Sequence, residues 1–387
     1  MRILRPLPFI AALALGACGG SQSASQSFID AAPSYSALAF DQTAIDTSDP
    51  SITTASGAAL RMDLDSTCHP HLFLRSHEVV NRINRHFYKV LRLVEQVISK
   101  NAQKLTTDQV VWEKVKNGVD LKLTVSAAGE VYTWTLELAP EGSTTFTTVF
   151  NGNIDRTGAA GPHQGKGELT LDFDSYAKVI TTERARGVIQ VQFDITATSR
   201  LVVVDAANVA WDVIDDTMPM GALGNLDAPR SGHYVYSHVY GQGGSLKLTD
   251  QMLLFCPSNP QLKLANVSLV QRWYRTAAGA VNGRSDALFT DGQLPDHSIA
   301  KVVGVTCHTG ATATTFPTES YWMMKSEDAT GATMTGGSLT ARDTSSTDAC
   351  DPVLGAVPSM TDSSTDFVFP TDMSSDTPYP IPTPPAG

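Results

Sequence analysis

From about residue 109 onward, apolar and polar side chains alternate with a period of two. Tyr132, Trp134, Leu136 and Leu138 alternate with Val131, Thr133, Thr135 and Glu137. Leu169, Leu171 and Phe173 alternate with Glu168, Thr170, Asp172 and Asp174, and Ile189, Val191, Phe193 and Ile195 with Gln190, Gln192, Asp194 and Thr196. Successive side chains on a strand point to opposite faces, so this pattern predicts half-buried antiparallel strands. Further strands are expected at 119–125, 144–152, 200–204, 233–240, 245–255, 262–275, 280–289 and 301–307. Turn residues stand at Asn117-Gly118, Ala128-Gly129, Gly243-Gly244 and Asn282-Gly283.

A helical period precedes the strands. Val79, Val80, Ile83, Phe87, Val90, Leu91, Val94, Val97 and Ile98 recur at three- and four-residue steps, which predicts one amphipathic helix over 76–100. Ser76 is its expected N-cap and Glu78 suits the first turn. The opposite face carries Arg82, Arg85, Lys89 and Arg92. One long N-terminal helix followed by a long antiparallel meander predicts a mainly β protein. Its form would be a curved antiparallel sheet or incomplete barrel with the helix packed on the concave face.

Composition changes on both sides of this β-rich body, 65–326. Residues 18–64 are rich in Ser, Ala, Gln, Thr and Asp and read as a flexible tether. Residues 327–387 are dominated by Ser, Thr, Asp, Gly and Pro, ending in Thr377-Pro378-Tyr379-Pro380-Ile381-Pro382 and beyond, and read as a disordered tail with polyproline II character.

Residues 1–17 read as a signal peptide. Arg2 and Arg5 form a positive start, and Phe9–Leu15 an apolar run too short to span a membrane. Leu15-Gly16-Ala17-Cys18 follows. This motif resembles the lipobox of bacterial lipoproteins, which implies cleavage before Cys18 and acylation of its thiol. Gly19 stands where an aspartate would mark inner-membrane retention, so the resemblance implies the outer membrane of the cell envelope. The helix-plus-meander outline is also similar to the half-barrel of envelope lipoprotein carriers and receptors, and to uncharacterised β-rich envelope lipoproteins. That similarity lies in architecture alone and assigns no residue a role.

The whole chain has net charge −11; loss of residues 1–17 removes two arginines and no acid, leaving −13. So acidic a chain is not expected to bind nucleic acid, which needs clustered cations. With Cys18 lipidated, Cys68, Cys256, Cys307 and Cys350 remain, and an oxidising compartment predicts disulfides. Cys256 and Cys307 are each expected to pair with Cys68 or Cys350, although they could join each other.

Several residue groups could carry function. Cys68, His69, His71 and His77 lie close together, and Cys307-His308 forms a second pair. No cofactor is expected, but copper or zinc is the ion such a set would take. The alternative is a disulfide beside surface histidines. Arg82, Arg85, Lys89 and Arg92 would dock anionic headgroups or an acidic partner, or form a solvated helix face. Tyr234, Tyr236, His238 and Tyr240 share one strand face and would line an amphipathic ligand groove, or form an aromatic row in the core. Asp63 with Asp65, and Asp172 with Asp174, are paired carboxylates outside any calcium-loop pattern. Ser175 to Lys178 spells Ser-x-x-Lys without the companion Lys-Thr-Gly.

The expected function is therefore that of a membrane-anchored binding or scaffold module. Its ligand would be apolar or amphipathic, a lipid for example, or its partner an envelope protein. A metal-binding protein using His69, His71 and His77 is the second reading, and a hydrolase with a site assembled from distant residues the third.

Overall fold

The computed structural model describes residues 20–40, 72–99, 101–210, 229–256, 259–290, 299–311, 318–332, 334, 341–342, 350–355 and 372–383. Cys18, Asp63, Asp65, Cys68, His69 and His71 lie outside them. Among the described residues the α-helices are α1 (Gly20–Ala31), α2 (Tyr35–Leu38), α3 (Leu72–Ile98) and α4 (Phe173–Val179). The strands run in order: β1 (Lys104–Leu105), β2 (Gln109–Lys116), β3 (Val119–Ala128), β4 (Val131–Pro140), β5 (Thr147–Asp155), β6 (Gly165–Asp172), β7 (Arg186–Ile195) and β8 (Ser199–Ala210). They continue with β9 (Arg230–Val239), β10 (Gly243–Cys256), β11 (Asn259–Arg275), β12 (Val281–Thr290), β13 (Lys301–Ala311), β14 (Thr318–Glu327) and β15 (Ala341–Arg342).

All fifteen strands belong to one sheet, in sequence order. Each pairs antiparallel with the next, and β1 does not meet β15, so the sheet is not closed into a barrel. Helix α3 touches β2 and β3 towards one end of the sheet and β11, β12 and β13 towards the other. One helix can reach strands so far apart in order only if the sheet curls around it. This is the mainly β, curved antiparallel architecture expected from the alternation.

The inner face follows the period-two rule. Trp112, Leu123, Trp134, Leu136, Phe150, Leu171, Ile189, Val202, Val204, Leu246, Leu248, Leu269 and Phe289 form one core with Val80, Ile83, Phe87, Val90, Leu91, Val94 and Val97 of α3. The Asn117-Gly118 turn has positive φ at both residues (52° and 76°), as a two-residue hairpin loop requires. Among the described residues no helix is long and apolar enough to cross a membrane.

Several elements differ from the sequence expectation. Helix α3 starts at Leu72, a full turn before Ser76, so Ser76 is not an N-cap. Its buried hydroxyl has one proton to share between the Phe73 carbonyl (2.8 Å) and Gln271 Oε1 of β11 (2.5 Å). Asn282-Gly283 is not a turn but lies inside β12. There a Cβ on residue 283 would fall 2.4 Å from the His308 ring, so only glycine fits. Phe173 and Asp174 leave the strand pattern for α4, because the Asp172 carboxylate caps that helix through the Ser175 amide (2.8 Å). The same carboxylate accepts the Ser175 hydroxyl (2.7 Å), which gives the Ser-x-x-Lys residues a capping role. Strand β14 was not anticipated.

Residues 20–40, within the stretch read as tether, instead form α1 and α2 and enter the core. Phe28 meets Tyr132 edge to face, and Phe40 stacks on Tyr236 with centroids 4.8 Å apart. Asn84 of α3 holds the Phe40 backbone at both ends, accepting from its amide (2.8 Å) and donating to its carbonyl (2.9 Å). A few well-spaced aromatic anchors suffice to order a segment whose average composition is polar. Within 327–387, residues 350–355 and 372–383 lie against the outer face of the sheet.

Ile83 is fully buried and Arg85 half-buried. Ile83→Asp is expected to cost roughly 3–5 kcal/mol by placing a carboxylate in the core. Arg85→Glu should change stability by no more than about 0.5 kcal/mol. Urea unfolding of both variants checks the face assignment; equal effects would contradict it.

Candidate functional site

The concave side of the sheet is occupied. Tyr234 and Tyr236 point inward from β9 and are fully buried, so the aromatic row lies in the core over half its length. Phe40 covers Tyr236, and the Arg200 guanidinium donates to the Tyr236 hydroxyl (3.2 Å). His238 packs against Trp273 and meets Tyr240 edge to face at the rim, where Tyr240 is 42% exposed.

Beyond Tyr234 the interior turns polar. Asp250 is buried beside Arg82 and Arg230, and accepts the Gln251 amide at 2.6 Å. Burial raises the Asp250 pKa above the ordinary carboxylate value, an effect the two arginines oppose. Burial and the neighbouring Asp250 charge push the Tyr234 hydroxyl well above its usual value.

The four basic residues of α3 are thus differently placed. Arg82 serves the buried Asp250, and Lys89 pairs with Glu183 at 2.9 Å. Arg92 is exposed, its guanidinium 5.6 Å from the Tyr88 ring. Arg85 is half-buried.

His77 and His308 do not converge as ligands. Phe73 lies between them, stacked on His77 (6.2 Å) and tilted against His308 (4.4 Å). Among the described residues no group of three potential ligands could hold a metal ion. Burial lowers both imidazoles from 6.5 to about 4; at His308 the Glu319 charge opposes this. Both rings are neutral spacers in an apolar setting.

The outer face of β9–β12 has a different character. Ser245, Arg272 and Arg284 stand opposite one another in a cross-strand row that continues to Cys307. Lys247 occupies the next outward position of β10 and is only 1% exposed. Two directly opposed guanidinium groups repel each other, and burial favours neither charge. Burial lowers the pKa of both Lys247 and Arg272. Asp286 answers part of the charge, with Arg284 Nη2 at 2.6 Å and its Nε at 2.9 Å from the carboxylate.

The rest of the compensation comes from two C-terminal segments. Cys350 is disulfide-bonded to Cys307, with Cα atoms 5.5 Å apart. Both join Val303, Val305 and Met323 in a small outer core. Asp351 accepts from Tyr274 and from Asn282 Nδ2 (3.1 Å) and caps the short 3₁₀ turn Pro352–Leu354. Burial alone would raise the Asp351 pKa, but hydrogen bonds from Tyr274, the Val353 amide and Asn282 outweigh it and hold it below the usual range. The Leu354 carbonyl accepts from Arg272 (2.7 Å) and the Gly355 carbonyl from Arg284 (3.2 Å).

Further on, Lys247 donates to the Ser375 carbonyl (2.6 Å), the Ser375 hydroxyl (3.0 Å) and the Asp372 carbonyl (3.3 Å). Ser245 donates to the Tyr379 carbonyl (2.6 Å), and Arg272 lies 5.3 Å from the Tyr379 ring. His233 bridges Asp205 (2.8 Å) and the Ser375 carbonyl (3.3 Å). Most of these contacts end on main-chain oxygens. They run across the strands, because the strands' own amides and carbonyls are used within the sheet.

Sequence reasoning marked Cys307 and Cys350 but missed Lys247, Arg272, Arg284 and Asp286. The only available signal was charge inside otherwise apolar strands: Arg272 between Val270 and Tyr274, and Arg284 and Asp286 before Ala287.

Two outcomes follow. In the unfolded chain His77 and His308 titrate near 6.5, whereas in the fold they do so near 4. The unfolded state therefore binds more protons in that window, so stability is complete above about pH 6.5 and declines as pH falls towards 4. Between pH 7 and 5 each should contribute a loss of about 2 kcal/mol. Chemical denaturation at the two pH values should show a smaller loss for His308→Leu than for the parent; an unchanged slope would contradict the assignment. Separately, alkylation without reductant should leave Cys307 and Cys350 unmodified, and reduction should expose both. Free thiol at either before reduction would exclude the pairing.

No protein-family model, curated protein or solved structure matches this chain, so its chemistry must be read from its own residues.

Proposed function

We propose that the protein is a cell-envelope lipoprotein, held at the outer membrane by acyl chains on Cys18, that works as a non-enzymatic scaffold and binding module. The observation that carries the reading is the division of labour between the two faces of the sheet. Among the described residues the concave side is filled by α3 and the Phe40 segment, whose side chains pack into one apolar core with the sheet. The convex side holds turns of the C-terminal region through Lys247, Arg272 and Arg284. A rigid sheet that binds chain on its outer surface suits docking better than turnover.

The anchor rests on the charged, apolar leader and the Leu15-Gly16-Ala17-Cys18 box. Helix α1 begins at Gly20, two residues after Cys18, and is tied to the body by Phe28 and by His163, whose amide donates to the Asp30 carbonyl (2.7 Å). Acylation at Cys18 would then seat the body close to the bilayer. Its net negative charge makes acyl insertion, not surface electrostatics, the attachment.

Cys18→Ala should abolish membrane attachment and incorporation of labelled palmitate, while the released protein keeps the parent's thermal unfolding. Equal palmitate labelling of parent and variant, or membrane retention of the variant, would refute the anchor.

A further inference from the structure

We infer that the outer face of β9–β12 around Ser245, Lys247 and Arg272 is a docking groove for acidic, proline-containing peptide segments, and that residues 372–383 are its resident intramolecular occupant, which a partner's segment displaces. This deepens the scaffold reading and rests on it for the partner's presence in the envelope; the groove itself is argued independently.

The first argument is charge. Arg272 and Arg284 face each other across neighbouring strands, with Lys247 one strand further on. The described carboxylate within the row is Asp286. Such a row is unfavourable bare and needs electronegative atoms laid over it. Residues 350–355 supply them to Arg272 and Arg284 as the Leu354 and Gly355 carbonyls, and residues 372–383 supply them to Lys247 and Ser245 as the carbonyls of Asp372, Ser375 and Tyr379, with Asp372 and Asp376 adding negative charge near Lys247.

The second argument is the form of the contacts. Lys247 reads the Asp372 and Ser375 carbonyls of a short turn, and Ser245 the Tyr379 carbonyl of the stretch that follows it. Pro378, Pro380 and Pro382 carry no amide hydrogen and restrict φ to a value that suits polyproline II, and residues 377–383 belong to no helix or strand. Specificity then comes from Tyr379, whose ring lies against Arg272, and from Pro382, which is buried. Aromatic and proline side chains on an extended backbone are the usual material of such recognition.

The third argument is the mode of attachment. The Cys307–Cys350 disulfide and the Asp351 contacts hold 350–355 to β13, β11 and β12. Among the described contacts segment 372–383 has no covalent link to the sheet; hydrogen bonds, the Tyr379 ring contact, the His233–Asp376 pair (3.8 Å) and the burial of Pro382 hold it. It can therefore leave the groove while the chain remains tethered nearby, and a competing segment must overcome the high effective concentration this tether gives.

The test uses the purified full-length protein with a specific protease site inserted between Gly355 and Asp372. After cleavage, the C-terminal peptide should co-elute with the body. A fluorescent synthetic peptide of residues 372–387 should then replace it saturably. Tyr379→Ala in the synthetic peptide should weaken binding at least tenfold with the protein unaltered, and Lys247→Met in the protein should do likewise while its thermal unfolding stays near the parent's. The uncut protein should take up the labelled peptide at least tenfold more weakly than the cut one. Failure of the labelled peptide to bind the cut, folded protein would overturn the proposal, as would binding indifferent to both substitutions. Concentration-dependent exchange of the segment between uncut chains would reassign the occupant to a second copy and overturn the partner reading. None of these outcomes depends on acylation of Cys18, so their failure is distinct from failure of the anchor.

Discussion

Burying one face of a fifteen-strand meander is the constraint from which the rest of this structure follows. An open sheet of that length has an inner surface too long for a flat layer to cover. Curling solves the geometry, and α3 supplies the apolar volume that fills the resulting concavity: Val80, Ile83, Phe87, Leu91 and Val94 are all buried there. Enclosure also traps part of the helix's polar side. The sheet and the loop before β7 meet it residue by residue, with Gln271 at Ser76, Asp250 near Arg82, and Glu183 at Lys89. Buried polar pairs of this kind add specificity more than stability, since each stabilises one placement of the helix in the curl.

The same curvature leaves a convex face that, among the described residues, no second layer of strands covers. Over β9–β12 that face is cationic, and it is covered by polypeptide from the C-terminal region. The two faces thus bury chain by different physics. Inside, apolar side chains interlock with apolar side chains. Outside, charged side chains donate to main-chain oxygens, and one disulfide pins the start of the covering segment. A contact made of carbonyl acceptors is easier to exchange than a packed aromatic one, because water or another backbone can take each acceptor's place.

The strands and the central helix were legible in the sequence because their signals are local and repetitive. The alternation at 131–138 and 189–196 and the three-four spacing at 79–98 each report burial on one side of a regular element. Boundaries slipped where a single tertiary contact overrode them. Ser76 looks like a cap until Gln271, far along the chain, claims its hydroxyl. Asn282-Gly283 looks like a turn until His308 needs the space of a missing Cβ. Phe28 and Phe40 sit in polar surroundings along the chain, and their contribution appears only once Tyr132 and Tyr236 are beside them.

The sequence by itself determined the mainly β class, the strand-by-strand alternation and the amphipathic helix, because each is written in the order of neighbouring residues. Only the tertiary structure decided that the tyrosine row lies partly in the core, that Arg82 and Lys89 engage acids of distant elements, and that Lys247, Arg272 and Arg284 form one site with the C-terminal carbonyls. Those relations join residues tens to more than a hundred positions apart. A single sequence carries no local mark of such distances, since opposed charges and donors become a site only after the sheet's register has set them side by side.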